Sequence, residues 1–208
     1  MNTLTHNLLK KASALILSAA ILLGQAFADQ EAEKFVTDIL EEAAPSLTSD
    51  DQAVIFTGIE NLVDQYVDIR RVGLFTLGQY ARQTSPEQRA EFLELFRQYA
   101  TLVYQNSLSE YTGQTLEVVS SIDRSQRDII VNSKVAGSTP GQAYGNLQVH
   151  WRVYRSRDGA MSIVDAGAND IWLAIEQRSQ FTSIIANNGG GEQGVQALIN
   201  QLREQVGG

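Results

Sequence analysis

The sequence contains no cysteine. Disulfides, thiolate nucleophiles, cysteine-based metal sites and a lipid-modified cysteine anchor are thereby excluded. Histidine is almost as scarce: His6 lies in an N-terminal leader, and His150 is the only other one. A single histidine cannot supply the cluster that zinc or copper takes, and one placed on a strand beside Trp151 reads as a surface or packing residue. The spacings of a nucleophile elbow, a zinc-protease helix and a P-loop are missing too. Gly189, Gly191 and Gly194 do satisfy G-x-G-x-x-G. No clear strand precedes them and no acidic partner follows at the ~20 residues a dinucleotide site needs, so they read as a loop leading into a helix. No catalytic residue and no metal-ligand set emerges from these patterns.

Basic charge is in deficit, with 16 Lys and Arg against 24 Asp and Glu. Lys10 and Lys11 precede the apolar run Ala12 to Leu23, and Ala26-Phe27-Ala28 has the small-x-small form of a cleavage site. Residues 1–28 therefore read as a secretory signal peptide, the run being shorter than the ~20 residues of a membrane span. The mature chain is predicted to begin near Asp29, and without the two leader lysines it carries 14 basic against 24 acidic residues, a formal charge of −10. Such a chain is repelled by nucleic acid and by anionic membrane surfaces, so no nucleic-acid partner is expected.

What the sequence does have is apolar content, 43% of 208 residues, enough for a packed core and for one domain with a helical elaboration. Its organising stretch runs from Asp68 to Tyr111. Ser85-Pro86-Glu87-Gln88 has the form of a helix start, with Ser85 as cap, Pro86 at the first helical position and Gln88 as the capping-box partner. Gln88, Phe92, Leu95, Phe96, Tyr99, Leu102, Val103 and Leu108 then recur at three- and four-residue steps, one apolar face of a long helix. Before it, Ile69, Val72, Gly73, Leu74, Leu77, Gly78 and Tyr80 mark a second apolar helix. Glycine costs roughly 1 kcal/mol against alanine inside a helix, so Gly73 and Gly78 predict a close backbone approach or a break.

Upstream, Phe35, Val36, Ile39, Leu40 and Ala43 predict a helix ending at Pro45, and Ser49-Asp50 caps another that buries Val54, Ile55, Ile59, Leu62, Val63 and Tyr66. Downstream the period changes to two. Strands are predicted over Thr115–Val119, over Ile129–Val135, over Leu147–Tyr154 and, after the Asp158-Gly159 hairpin signal, over Met161–Asp165. Asn169–Glu176 is open between a strand end and a helix start. Ser179–Ala186 and Val195–Leu202 read as helices. Helices, an antiparallel meander of about four strands, then helices is an α+β arrangement.

Two possible charge pairs stand out, Asp68 with Arg70 and Asp165 with Arg152. Each reads either as acid–base machinery in an apolar cone or as a structural ion pair or cap. Arg70, Arg71 and Arg82 suit a phosphate equally well.

Asp68, Arg70, Leu77, Gly78, Tyr80, Arg82, Gln88, Arg89, Phe92, Phe96, Tyr104, Leu108, Tyr111 and Gly113 carry a resemblance, in that order and spacing. It resumes at Trp151-Arg152-Val153, Asp158-Gly159, Val164-Asp165 and Gln177-Arg178 with Phe181. Together they resemble the MlaC family, the periplasmic phospholipid-binding component of the Mla lipid-transport pathway, also described as a toluene-tolerance family. The resemblance covers most of the chain after the leader. It implies an NTF2-like curved antiparallel sheet with a helical subdomain enclosing a lipid pocket, within one domain over 29–208: helices over about 29–112, sheet over about 113–168, helices over about 171–206. It also implies a monomeric carrier, with phospholipid as cargo rather than cofactor. Its implied partners are an inner-membrane ABC transporter with an MCE-domain ring and an outer-membrane lipoprotein–porin complex, and its implied role is to maintain outer-membrane lipid asymmetry.

If this holds, the tail pocket is expected between the concave sheet face and the helices of Gly73/Gly78 and Phe92–Val103. The faces nominate Leu74, Leu77, Phe96, Tyr99 and Val103 from the helices. From the sheet they nominate Val149, Trp151, Val153 and Ile163, and beyond it Ile171 and Leu173. Asn169-Asp170 stands where the family often has glycine, which puts the local geometry at Ile171 and Trp172 in question. Exposing a diacyl lipid's roughly thirty methylenes to water costs over ~20 kcal/mol at ~0.8 kcal/mol each, so a carrier has only to sheathe tails. The alternatives are an NTF2-like enzyme acting on a small hydrophobic substrate through Asp68 or Asp165, and an adaptor with a filled interior.

Overall fold

A computed structural model describes residues 28–108, 115–141 and 144–207. The predicted leader up to Phe27, and Tyr111 and Gly113 of the resemblance, lie outside the described residues.

The first helix, α1, spans Gln30–Leu47 and starts where Asp29 accepts the Ala32 N–H at 2.9 Å. It buries Ala32, Val36, Ile39 and Ala43 along one face. It runs through Pro45 rather than ending there. So close to the C-terminus the missing proline N–H frees only a carbonyl that water can reach, and Thr48 closes the last turn through its N–H and hydroxyl to the Ala44 carbonyl. α2, Gln52–Tyr66, is capped by Asp51, one residue beyond the predicted cap, while Ser49 Oγ accepts the Asp51 N–H.

α3, Ile69–Thr76, is capped by Asp68, whose carboxylate accepts the Arg71 N–H at 2.9 Å. Both glycine readings are realised, one at each position. At Gly73 an added Cβ would lie 2.8 Å from Leu93 Cδ2 and 3.1 Å from Phe96 Cδ1, so α3 sits close on α4. Gly78 has φ +58° and breaks the helix into a 3₁₀ turn, Gly78–Arg82. α4, Pro86–Leu108, begins as predicted with Ser85 Oγ accepting the Gln88 N–H. The Gln88 side chain does not complete a capping box, since it reaches α6, Gly191–Gly207, and donates to the Glu192 carbonyl at 2.9 Å.

Five strands form a curved antiparallel sheet in the order β1 Leu116–Ser125, β2 Asp128–Val135, β3 Gln148–Arg155, β4 Met161–Ala168 and β5 Ile171–Trp172. The meander therefore has one strand more than expected, and β1 runs on through a polar stretch that an edge strand can leave in water. Asn169 and Asp170, at φ 48° and 68°, form the two-residue β4–β5 turn, the left-handed pair that a type I′ hairpin requires. The ambiguous segment is thus strand and helix in succession, because α5, Leu173–Asn187, follows β5 directly.

Ile129, Val131, Val153 and Ile163 project from one sheet face onto Ala32, Val36 and Ile39 of α1, forming one apolar cluster. Phe92, Phe96, Phe181, Ile185, Leu198 and Leu202 anchor a second among α3, α4, α5 and α6. Val67, between α2 and α3, packs against both. Next to it the Asp68 N–H bonds the Ile163 carbonyl at 3.0 Å, tying the helices to β4. The β3–β4 register shifts opposite Arg152 and Val153, leaving Val164 unpaired on β4; Ile163 packs in the sheet cluster while Val164 packs against the helical one. The fold is α+β.

Candidate apolar binding cleft

Three helices contribute one stripe each to a cleft. On α4, Phe96, Tyr99, Ala100 and Val103 follow the three- and four-residue steps of a single helix face. On α3 the stripe is Ile69 and Val72, continued backwards by Val67; on α5 it is Leu173, Ala174 and Gln177. The cleft has a volume of about 410 Å³, its open side included.

Apart from the Tyr99 hydroxyl, one polar side chain stands in this lining, that of Gln177. Its Oε1 is shielded from solvent and accepts no hydrogen bond among the described residues. A buried acceptor left unpaired costs about 1–3 kcal/mol, and such groups are few in native proteins. Behind the α4 stripe, Phe181 of α5 meets Phe92, Phe96 and Tyr99 at ring separations of 6.2, 6.2 and 5.7 Å, which stiffens the wall.

Of the residues nominated from the sequence, Phe96, Tyr99, Val103 and Leu173 meet in the cleft. Leu74 packs half-buried against the helical cluster and Leu77 is fully buried within it. Val153 and Ile163 lie beneath α1, and Trp151 borders them with Nε1 donating to Ser133 Oγ at 3.0 Å. Val149 is half-buried on the same sheet face, beside Ser133 and Ala168. Ile171 is 60% exposed on β5. α1 covers the sheet face on which Val153 and Ile163 lie, while α3 and α4 pack with α5 and α6. Val67, Ile69, Val72, Ala100, Ala174 and Gln177 were missed. Ile69 and Val72 carried a readable signal, a three-residue step directly after the Asp68 cap, whereas Ala100 and Ala174 are too small to stand out in any pattern.

The carboxylates considered for acid–base work are both committed to helix starts. Asp68 caps α3 and pairs with Arg71, not Arg70, at 3.1 Å. Asp165 caps α5: its Oδ1 accepts the Ala166 and Ala174 N–H groups, each at 2.9 Å. Burial pushes the Asp165 carboxyl up, the two N–H bonds and the Arg152 charge offsetting this only in part. Arg152 itself grips Asp128 through two bonds of 2.8 and 2.9 Å, which hold the Asp128 carboxyl below its usual range against a smaller opposing effect of burial. Arg71 stacks over Tyr154 at 3.6 Å and Arg178 over Phe75 at 4.8 Å. Among the described residues no group of His, Asp and Glu is placed to hold a metal ion.

This chain can be set beside known proteins. A relative from Haemophilus influenzae, the intermembrane phospholipid transport system binding protein MlaC, is 27% identical over 165 residues, or 75% of this chain and 76% of the relative. A solved phospholipid-binding protein from Ralstonia solanacearum, in complex with a phospholipid, shares the fold with a TM-score of 0.65. It is 24% identical, and the match covers 88% of this chain and 98% of that one. The family model described as MlaC protein matches residues 30–204, from the first turn of α1 into the last turns of α6. The chain belongs to the MlaC family.

Proposed function

We propose that the chain is a soluble periplasmic carrier that binds a phospholipid by its acyl chains in the cleft between α3, α4 and α5. The observation that carries this is the convergence of three apolar helix stripes on space that side chains leave unfilled. Membership of a family whose Haemophilus member is named for intermembrane phospholipid transport supports it. No helix among the described residues is long and apolar enough to cross a membrane, and the signal-like leader supports export to the periplasm. The domain is taken to run over 29–208. Its partners on this reading are an inner-membrane ABC transporter with an MCE-domain ring and an outer-membrane lipoprotein–porin complex, between which lipid moves to maintain outer-membrane asymmetry. The formal charge of −10 after leader removal keeps the carrier off anionic leaflets, so lipid passes through partner proteins rather than by adsorption.

The mechanism needs no covalent step. Transfer is limited by exposing acyl chains to water at ~0.8 kcal/mol per methylene, and an apolar lining removes that barrier while the headgroup stays wet. The cleft, about 410 Å³ with its open side included, is smaller than a pair of acyl chains, so uptake widens it. Asp68 and Asp165 act on this reading as helix caps, not as an acid–base pair.

Protein purified from a Gram-negative host and then denatured is expected to release phospholipid detectable by mass spectrometry. Leu173→Glu and Val103→Glu place a carboxylate in the cleft wall and should abolish retention while circular dichroism stays unchanged. Wild-type protein that neither retains nor takes up lipid would sink the proposal.

A further inference from the structure

We infer that the Gln177 amide is the hydrogen-bonding site for the glycerol-ester zone of a bound diacyl lipid, and that it sets how deep the acyl chains descend. The inference rests on the carrier reading above and adds a specificity to it: ester-linked over ether-linked lipid. Gln177 sits one turn beyond Leu173 and beside Ala174, on the α5 stripe that lines the cleft. Its neighbour Arg178 turns away to cover Phe75. Gln177 is half-buried in this lining, and its amide oxygen is shut off from water and unbonded among the described residues.

A polar group kept in such a place is costly unless something that enters the cleft pairs with it. Hydrocarbon cannot. A diacyl lipid carries its only polar atoms near the tails on the two ester linkages, whose carbonyl oxygens accept hydrogen bonds. A carboxamide offers two N–H donors as well as its oxygen, and a half-turn about its terminal bond exchanges them with no change of shape. With the N–H groups facing the cleft, one ester carbonyl is held at the level of Gln177. Chain beyond that point lies against Phe96, Tyr99 and Val103, and phosphate and headgroup stay outside. An ether linkage has no carbonyl to offer, so an ether lipid leaves the amide unpaired.

The test uses the mature chain, stripped of endogenous lipid and incubated with vesicles of dioleoyl phosphatidylcholine or of its 1,2-dioleyl ether analogue. Both lipids are zwitterionic, so the acidic chain is not held off either vesicle. Bound lipid is counted by native mass spectrometry. Wild-type protein is expected to take the diester over the diether by about five- to tenfold, the worth of one net hydrogen bond. Gln177→Leu and Gln177→Met should bind both lipids equally, hold the diether at least as well as wild type does, and melt no lower. Equal uptake of the two lipids by wild type, or a preference that survives in both variants, overturns the inference while leaving the carrier reading intact. Uptake of neither lipid by wild type fails the carrier reading itself.

Discussion

The sheet side and the helical side of the molecule use apolar periodicity with equal regularity and arrive at different interiors. Over the sheet, Ala32, Val36, Ile129, Val131 and Val153 all fall to 0% exposure, and Ile39 and Ile163 stay below 10%. Among the helices, Phe92 and Leu198 are sealed just as completely, yet Tyr99, Val103 and Leu173 on the same stripes border a cleft. A sheet face is continuous, and one helix carrying a small residue such as Ala32 can lie flat upon it. Helices about 10 Å thick that cross at an angle touch near the crossing and diverge beyond it. The wedge that opens there is the space that the proposed carrier role requires. Good packing on one side lets the other side be left incomplete.

The sharpest way to break that contrast is to delete side chains of both kinds. Phe92→Ala in the sealed part of the helical cluster should cost about 3–5 kcal/mol in urea denaturation, whereas Val103→Ala on the cleft wall should cost under about 1 kcal/mol, since little packing is lost there. Equal losses would mean that the cleft wall is ordinary core. A smaller effect is expected at Gly194, where an added Cβ would lie 2.3 Å from the Ile185 carbonyl oxygen. Gly194→Ala should destabilise by about 1–3 kcal/mol through overpacking, although alanine is the better helix former. A rise in melting temperature would show that α5 and α6 can part freely.

Asp165 sits at the joint between the two regions, where β4 hands over to α5. Its folded carboxyl is shifted upward by burial, so its contribution to stability is full below the unfolded value and is lost as pH rises through the raised folded one. Asp165→Asn keeps an oxygen for both N–H groups and removes the buried charge. The stability of wild type relative to this variant should therefore fall as pH climbs from below the ordinary carboxylate range to neutrality. Asp128, held low by Arg152, works in the opposite sense and loses its contribution as pH falls. A flat difference between wild type and Asp165→Asn across that range would count against a buried ionised Asp165. An acid–base role would instead appear as turnover lost in Asp165→Asn at unchanged stability.

The smallest effect belongs to the β4–β5 turn. Asp170 holds φ 68°, a conformation that glycine adopts without strain. Asp170→Gly should raise stability by up to about 1 kcal/mol in thermal melts, less the entropy that glycine adds to the unfolded chain. A loss would indicate that the Asp170 side chain contributes more than its strained backbone takes away.

Much of the fold was legible because its signals are local. Ser85-Pro86 started α4 where expected, the alternation of Ile129, Val131, Ser133 and Val135 put those residues on one face of β2, and Gly78 broke its helix. Helix starts at Asp51 and Leu173, the helical turn across Pro45, and the pairing of Asp68 with Arg71 were set by neighbours that no local pattern names. The site was half legible for the same reason. The α4 stripe announced itself by spacing, while Gln177, although part of the family pattern, carried no sign that its side chain lines a cleft.

From the chain alone came the order of elements, the switch from helical to strand period after residue 111, the face each stripe would bury, and the family. Periodicity does that because it reports geometry within one element. Which stripes meet, and whether they close on each other or leave room between them, was decided only when α1 took the sheet face and α3, α4 and α5 were left to one another. Apolar surface has no preferred partner of its own, and crossing angles and bulges do the choosing.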